Sequence, residues 1–246
     1  MSSPDPLQDL TERWDRAGRT DPFWAVLSWR GKRGNRWLSD EFFETGVQEI
    51  ALVMAHADRL GLDGHERALD FGCGPGRLTQ ALTRYFDEVD GVDISPSMIE
   101  LANKFNRCPE RCHYHQNSAI DLRFLANSTF DLVYSNITLQ HVEPTYTRSY
   151  LREFLRVLRP GGLLMFQLPG RRTGARSRIK RLVPSFAMGF YRQLRYRNHP
   201  AAVMNGIPRE EVVSFVEASG AKVLEVESND AAGGGWESFR YSCRRV

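Results

Sequence analysis

Apolar residues recur at helical spacing over Phe43, Val47, Ile50, Met54 and Ala57. This predicts a long helix capped by Ser39, with Asp40 and Glu41 in its first turn, ending near Gly61 and Gly64. Beyond it the pattern changes to short apolar runs separated by amphipathic segments. Strands are predicted over 67–71, 88–93, 112–116, 131–136 and 163–168. Helices are predicted over 76–86, from Ser95-Pro96 to about Asn106, and over the stretch marked by Tyr146, Tyr150, Phe154 and Leu158, which Pro160-Gly161-Gly162 stops. Alternation with short connections predicts an α/β fold in which a parallel sheet carries helices on both faces. Such sheets bind ligands at the carboxyl ends of their strands. Here those ends carry Gly72 to Gly76, Asp93, Ser118, Asn136 and Pro169.

The two ends of the chain read differently. Residues 1–38 are polar and aromatic, with a turn or cap at Thr20-Asp21-Pro22 and a glycine-broken basic loop from Trp29 to Trp37. That loop is either a surface loop whose tryptophans plug the core or a lid over a pocket. After Leu168 the alternation stops, with one helix expected around 184–195. A helix then starts at Pro208 and runs through Val212, Phe215 and Val216 to Gly220. Strands around Val223–Val226 and Phe239–Cys243, joined without a helix, should form an antiparallel pair at the sheet edge.

Charge sharpens the picture of the second half. The formal net charge is only +3, yet Phe154 to Arg209 holds twelve Arg or Lys and no Asp or Glu, leaving 21 basic against 30 acidic residues elsewhere. The basic block is therefore local. No apolar run approaches membrane-spanning length, and the N-terminus lacks a basic-then-apolar signal, which together predict a cytoplasmic protein without a transmembrane segment. The four scattered cysteines then read as reduced thiols. Cys108 and Cys112 lie near His113 and His115, but no second ligand pair with zinc-like spacing follows, and no metal is expected.

The candidate chemistry centres on Asp70-Phe71-Gly72-Cys73-Gly74-Pro75-Gly76-Arg77, a strand, a tight turn and a helix start. A ligand can lie directly on glycine backbone, and a helix start offers unpaired N–H groups to negative charge. A dinucleotide site wants G-x-G-x-x-G, whereas Arg77 stands where the third glycine would be. Asp93 ends the second strand, where its carboxylate can accept both hydrogen bonds of a ribose diol. The next loop offers Ser118 and Ala119 to an adenine edge, and Ile94 or Met98 can lie against the adenine face.

With these residues in hand, the chain resembles the class I S-adenosylmethionine-dependent methyltransferases of small-molecule type. The matching segments are ALDFGCGPGRLT, VDGVDISPSMIELA, FDLVYSNITLQHV and VLRPGGLLMFQLP, in family order across roughly residues 66–169. The resemblance implies a three-layer, Rossmann-like, seven-stranded sheet, mostly parallel with a reversed edge strand, and S-adenosyl-L-methionine as cofactor. It implies that Gly72, Gly74 and Gly76 form the cofactor turn, that Asp70 orients it, that Asp93 holds the ribose and that Asn136 lies beside the sulfonium. Ser118 occupies the position of an acid that accepts from the adenine amino group in many relatives. Arg77 is a candidate for the cofactor carboxylate. One domain is expected over 1–246, divided into a helical cap or lid (1–64), a cofactor-binding core (65–169), a basic acceptor-side insert (170–207) and a C-terminal helix with an edge hairpin (208–246).

Methyl transfer to a hydroxyl needs a base as the proton leaves. His141, five residues past Asn136, is the candidate; Glu143, Glu44 and His199 are weaker ones. On the acceptor side, Trp29, Arg36, Trp37, Arg171, Arg172 and Arg178 form a candidate grip for a small-molecule, saccharide or glycoconjugate acceptor, anionic or lipid-linked. RNA or another anionic polymer is the rival partner, disfavoured because Ser135-Asn136-Ile137-Thr138 stands where base-methylating relatives carry an Asn/Asp-Pro-Pro-aromatic motif. A non-catalytic cofactor-binding module is the third alternative. The sequence leaves acceptor, methylated atom and oligomeric state open.

Overall fold

The apolar runs assemble into one seven-stranded sheet in a computed structural model of the chain, which describes residues 6–173, 203–233 and 235–246. In chain order the elements are α1 (Pro6–Thr20), α2 (Pro22–Val26), α3 (Ser39–Arg59), β1 (Arg67–Phe71), α4 (Arg77–Leu82), β2 (Glu88–Asp93), α5 (Pro96–Lys104), β3 (Cys112–Gln116), β4 (Phe130–Ser135), a 3₁₀ turn (Leu139–His141), α6 (Pro144–Val157), β5 (Leu158–Arg172), α7 (Arg209–Ala218), β6 (Ala221–Ser228) and β7 (Trp236–Arg245). The strand order is β3-β2-β1-β4-β5-β7-β6. Strands β1 to β5 pair in parallel, whereas β7 runs antiparallel to both β5 and β6. The predicted hairpin thus forms one side of the sheet, with its reversed strand inserted one place in from the edge.

The period-two pattern of each strand divides the core between two faces. Leu132 and Tyr134 of β4, with Ala68, Val89, Leu163 and Met165, pack under Ile50, Met54 and Ala57 of α3 and Leu78 and Leu82 of α4. The intervening Val133, with Leu69, Phe71, Leu164, Phe166 and Tyr241, meets Tyr150, Leu151 and Phe154 of α6 and Val212 and Val216 of α7. Burying a side chain such as Phe154, fully enclosed here, stabilises by about 1.5–3 kcal/mol.

Several boundaries differ from expectation for identifiable reasons. Ser39 is the first helical residue, and Leu38 holds the cap position. Helix α4 stops at Leu82 because Arg111 takes the carbonyls of Thr83, Phe86 and Asp87. Helix α5 ends at Lys104, after which the Asn106 side chain bonds Cys108 N and Cys112 O. Pro160-Gly161-Gly162 does not stop α6. The chain enters β5 directly at Leu158, and the Pro-Gly-Gly run instead makes the irregularity between the Phe130↔Leu158 and Leu132↔Leu163 pairs. Strand β5 continues to Arg172. The expected helix around 184–195 lies outside the described residues.

The N-terminal region is more regular than its composition suggested. Leu7, Leu10, Trp14 and Ala17 form an apolar stripe on α1. Asp21 separates α1 from α2, and its carboxylate accepts from Gly34 N (2.6 Å) instead of capping. This ties the Trp29–Trp37 loop down. Trp37 is buried among Leu27, Phe42 and Phe43, with its indole N–H on the Leu27 carbonyl (3.1 Å). Among the described residues no helix is long and apolar enough to cross a membrane.

Candidate active site

The carboxyl ends of β1, β2 and β4 open into a cavity of about 410 Å³, roofed by α1 and α2. The turn after β1 builds its floor. Gly72 N and Cys73 N both donate to Val92 O (2.7 and 3.0 Å), which folds the turn across the end of β2. Gly72 has φ +83°, and a Cβ there would lie 2.1 Å from Thr138 Oγ1. Gly76, with φ +85°, would drive a Cβ into the Tyr114 hydroxyl at 2.3 Å. Gly72 and Gly74 line the cavity; Gly76 does not, and serves instead as the N-cap of α4.

Asp93 lines the cavity beside this turn. Its Oδ2 accepts from Gly74 N and its Oδ1 from Ser95 N, each at 2.9 Å. Burial pushes its carboxyl up, and the N–H groups of Ser95, Gly74 and Ile94 pull back. Each oxygen retains a further lone pair, enough for two hydroxyls of a diol. Ile94 and Met98 supply an apolar wall. Asn117 lines the neighbouring part, while Ser118 and Ala119 are exposed and lie outside it. The Ala119 carbonyl is taken by the Tyr150 hydroxyl (2.6 Å). Asp70 lies beneath the turn, outside the lining. It is 1% exposed, accepts from Thr79 Oγ1 (2.7 Å), and is pushed up to about 7 by burial.

Arg77 and Asn136 both line the cavity, and one carboxylate holds both. Glu49 of α3 accepts Arg77 Nη2 (2.7 Å) on one oxygen, and Asn136 Nδ2 (2.7 Å) and the Tyr134 hydroxyl (3.0 Å) on the other. Arg77 is 4% exposed, and its Nε has no partner among the described residues. Glu49 escaped the sequence reading, although an acid between Gly46 and Val53 on the buried stripe of α3 was the available signal.

The other half of the cavity belongs to His141. Ile137, which lines it, has φ +57°. A β-branched residue in that region costs about 1–3 kcal/mol and persists only where its surroundings impose it. The bend delivers the 3₁₀ turn, in which Gln140 and His141 are each 4% exposed. The imidazole meets Trp14 edge-on at 5.3 Å. Its Nδ1 lies 3.1 Å from Val203 O and its Nε2 lies 3.2 Å from Gln140 Nε2. Trp14, Met204 and Ala231–Gly233 also line the cavity. None of these was singled out, although the α1 stripe made Trp14 legible.

The acceptor-side set is not brought together. Trp29 lines the cavity mouth and is 53% exposed. Trp37 is core and Arg36 is exposed, both off the lining. Arg171 pairs with Glu210, and Arg172 lies over the Trp236 ring at 4.7 Å, both outside the cavity. Arg178 lies outside the described residues. His115 is engaged with Asp90 at 2.7 Å.

The cavity fits a nucleoside carrying an amino-acid tail: a turn without side chains, a diol acceptor, an apolar wall and a buried guanidinium with a spare N–H. Residues 69–166 match a family model described as a methyltransferase domain. Trans-aconitate 2-methyltransferase of Enterobacter sp. (strain 638) is 31% identical over 54% of this chain and 51% of its own length. Phthiotriol/phenolphthiotriol dimycocerosates methyltransferase of Mycobacterium leprae (strain TN) is 33% identical over 67% of this chain and 58% of its own. The crystal structure of magnesium protoporphyrin IX methyltransferase from Synechocystis PCC 6803 with bound SAH superposes with a TM-score of 0.66 over 98% of this chain and 100% of the other, at 14% identity. The matched segment is a methyltransferase domain, and the chain has the Rossmann-like fold of this solved methyltransferase. It spans about half the length of the curated relatives it matches.

Proposed function

We propose that this chain transfers a methyl group from S-adenosylmethionine to a hydroxyl of a small molecule with an apolar body, with His141 as the base. One observation carries the reading: a single cavity joins the Gly72–Gly74 turn, Asp93 and Asn136 to His141 and Trp14. In it, Asp93 holds the ribose, Ile94 and Met98 cover the adenine, Asn117 meets its edge, and the spare N–H of Arg77 meets the tail carboxylate. When bound, the cofactor supplies an electrophilic methyl group on a sulfonium. The protein contributes alignment and a dry site. With the cofactor bound, His141 would take the acceptor's hydroxyl proton at Nε2, displacing the Gln140 amide N–H that occupies this lone pair, as the acceptor oxygen takes the methyl group from sulfur.

The lining favours an apolar acceptor over the saccharide that the arginines and tryptophans suggested. Leu10, Trp14, Ile137, Val142 and Met204 line the cavity together with the histidine, whereas Arg36, Trp37, Arg171 and Arg172 stand off it. The relatives' names span acceptors as unlike as trans-aconitate and phthiotriol dimycocerosates, so kinship does not select among acceptors and the lining must.

Calorimetry with S-adenosylhomocysteine should give saturable binding, weakened by Asp93→Ala by about 1–3 kcal/mol, because buried N–H groups and a diol lose a charged acceptor. No binding by the wild type would sink the cofactor reading. With labelled cofactor and pools of phenolic, enolic and long-chain hydroxylated acceptors, His141→Ala should lower turnover by about 10²–10⁴-fold. Undiminished turnover would remove His141 as base.

A further inference from the structure

A buried chain of hydrogen bonds leads away from His141, and the polarity of each link can be worked out from two backbone groups. At the far end, Ala231 N donates to Asn229 Oδ1 (3.0 Å). That atom is therefore an oxygen, so Ser238 must donate its hydroxyl proton to it (2.6 Å). The Ser238 oxygen is then the acceptor for Gln167 Nε2 (2.8 Å), which also faces Gln140 Oε1 at 3.4 Å. With its carbonyl turned to Gln167, Gln140 presents its N–H₂ to His141 Nε2 (3.2 Å). At the near end, Val203 O can only accept, so His141 Nδ1 must carry a proton (3.1 Å). Both ends demand the same imidazole: neutral, protonated at Nδ1, with a lone pair at Nε2.

We infer that Gln140, Gln167 and Ser238 are positioning residues that hold His141 in the Nδ1–H tautomer and oppose protonation at Nε2. An imidazolium would set an N–H against the Gln140 N–H, and Gln140 cannot turn over without losing Gln167. Gln167 and Ser238 are 2% and 4% exposed, so water does not take their place. Among the described residues, Trp14, Gln140 and the Val203 carbonyl contact the imidazole, and none of them titrates. The described titratable groups sharing its cavity are Asp93, Arg77, Cys73 and Tyr150, and Glu143 on its own segment is exposed. A catalytic consequence follows only if His141 is the base, so this part rests on the function proposed above.

Nitrogen-15 NMR of the 246-residue chain tests the relay without any acceptor. The wild type should show a protonated Nδ1 and an unprotonated Nε2 at neutral pH; the opposite tautomer overturns the inference. Gln167→Leu releases Gln140 to turn its carbonyl toward Nε2–H. The His141 titration midpoint should then rise by about one pH unit, a tenfold change in proton affinity. Gln140→Glu should raise it as well. Should Gln167→Leu fail to fold, Ser238→Ala frees the same amide and should move the midpoint in the same direction. An unmoved midpoint in the folded variants overturns the relay. If the midpoint moves and the acid limb of turnover moves with it, both readings stand. If the midpoint moves while the rate profile does not, the relay stands and His141 is not the base.

Discussion

At the scale of single residues, the site reuses ordinary side chains by denying them water. Asp70 shows the energetic cost most directly. Its carboxyl is pushed up to about 7 by burial, against about 3.9 in an unfolded chain. Between those values the folded protein keeps a proton that the unfolded chain has released. Stability should therefore fall as pH rises from about 4 to about 7, then level off. Asp70→Asn retains an acceptor for the Thr79 hydroxyl and removes the titration. Its stability relative to wild type should rise between pH 4 and pH 8 by on the order of a few kcal/mol, read from urea denaturation at both pH values. A pH-independent difference would count against the burial argument. Residues of this kind were legible because their neighbours in sequence are their neighbours in space: Asp93 ends β2, and Asn136 and His141 follow β4. Asn117 lines the cavity where Ser118 does not, because at a strand end the last pleat decides which side chain turns inward. Glu49 was not legible as a partner, because Arg77 and Asn136 reach it from 28 and 87 residues away.

At the scale of elements, the turn after β1 separates two uses of glycine. Gly72 and Gly76 are required by the fold itself, being hemmed in by Thr138 and Tyr114 at positive φ. Gly74 faces the cavity, and the atom nearest an added Cβ is Val26 Cγ2 at 3.2 Å. Gly72→Ala and Gly76→Ala should each cost about 1–3 kcal/mol or more in thermal or urea unfolding. Gly74→Ala should cost less stability and more S-adenosylhomocysteine affinity. Equal effects on both measurements at all three positions would refute the division. The sequence read these glycines as a cradle because spacing shows where backbone must turn, not what stands opposite it. The same limit explains α4 and α6. Arg111 decides where α4 stops, and pairing with Phe130 decides that Leu158 is already strand.

At the scale of the whole molecule, α1 joins the two halves of the cavity. Asp15 accepts Ser97 N on its carboxylate (3.0 Å) and Ser97 Oγ on its carbonyl (2.9 Å), fixing α1 on α5, while Trp14 covers His141. Asp15→Ala should strip hydrogen-exchange protection from α1 and weaken S-adenosylhomocysteine binding about tenfold, worth about 1.4 kcal/mol. The amides of β1, β2 and β4 should keep their protection. Loss of protection in the sheet would mean that α1 supports the fold and not only the site. The layered α/β plan was legible throughout from alternating periodicities, whereas the packing of α1 and the paths of Arg171 and Arg172 depend on distant contacts. One topological detail has a temporal consequence. Strand β7 follows β6 in the chain yet lies between it and β5, so β6 has nothing to pair with until β7 has been made. Ser238 sits on that same strand, opposite Pro169 of β5. On the ribosome, the glycine turn and Asp93 can be in place while the Gln167–Ser238 contact still waits for β7. The topology thus allows a nascent chain to complete its glycine turn and Asp93 before the contacts behind His141 can form.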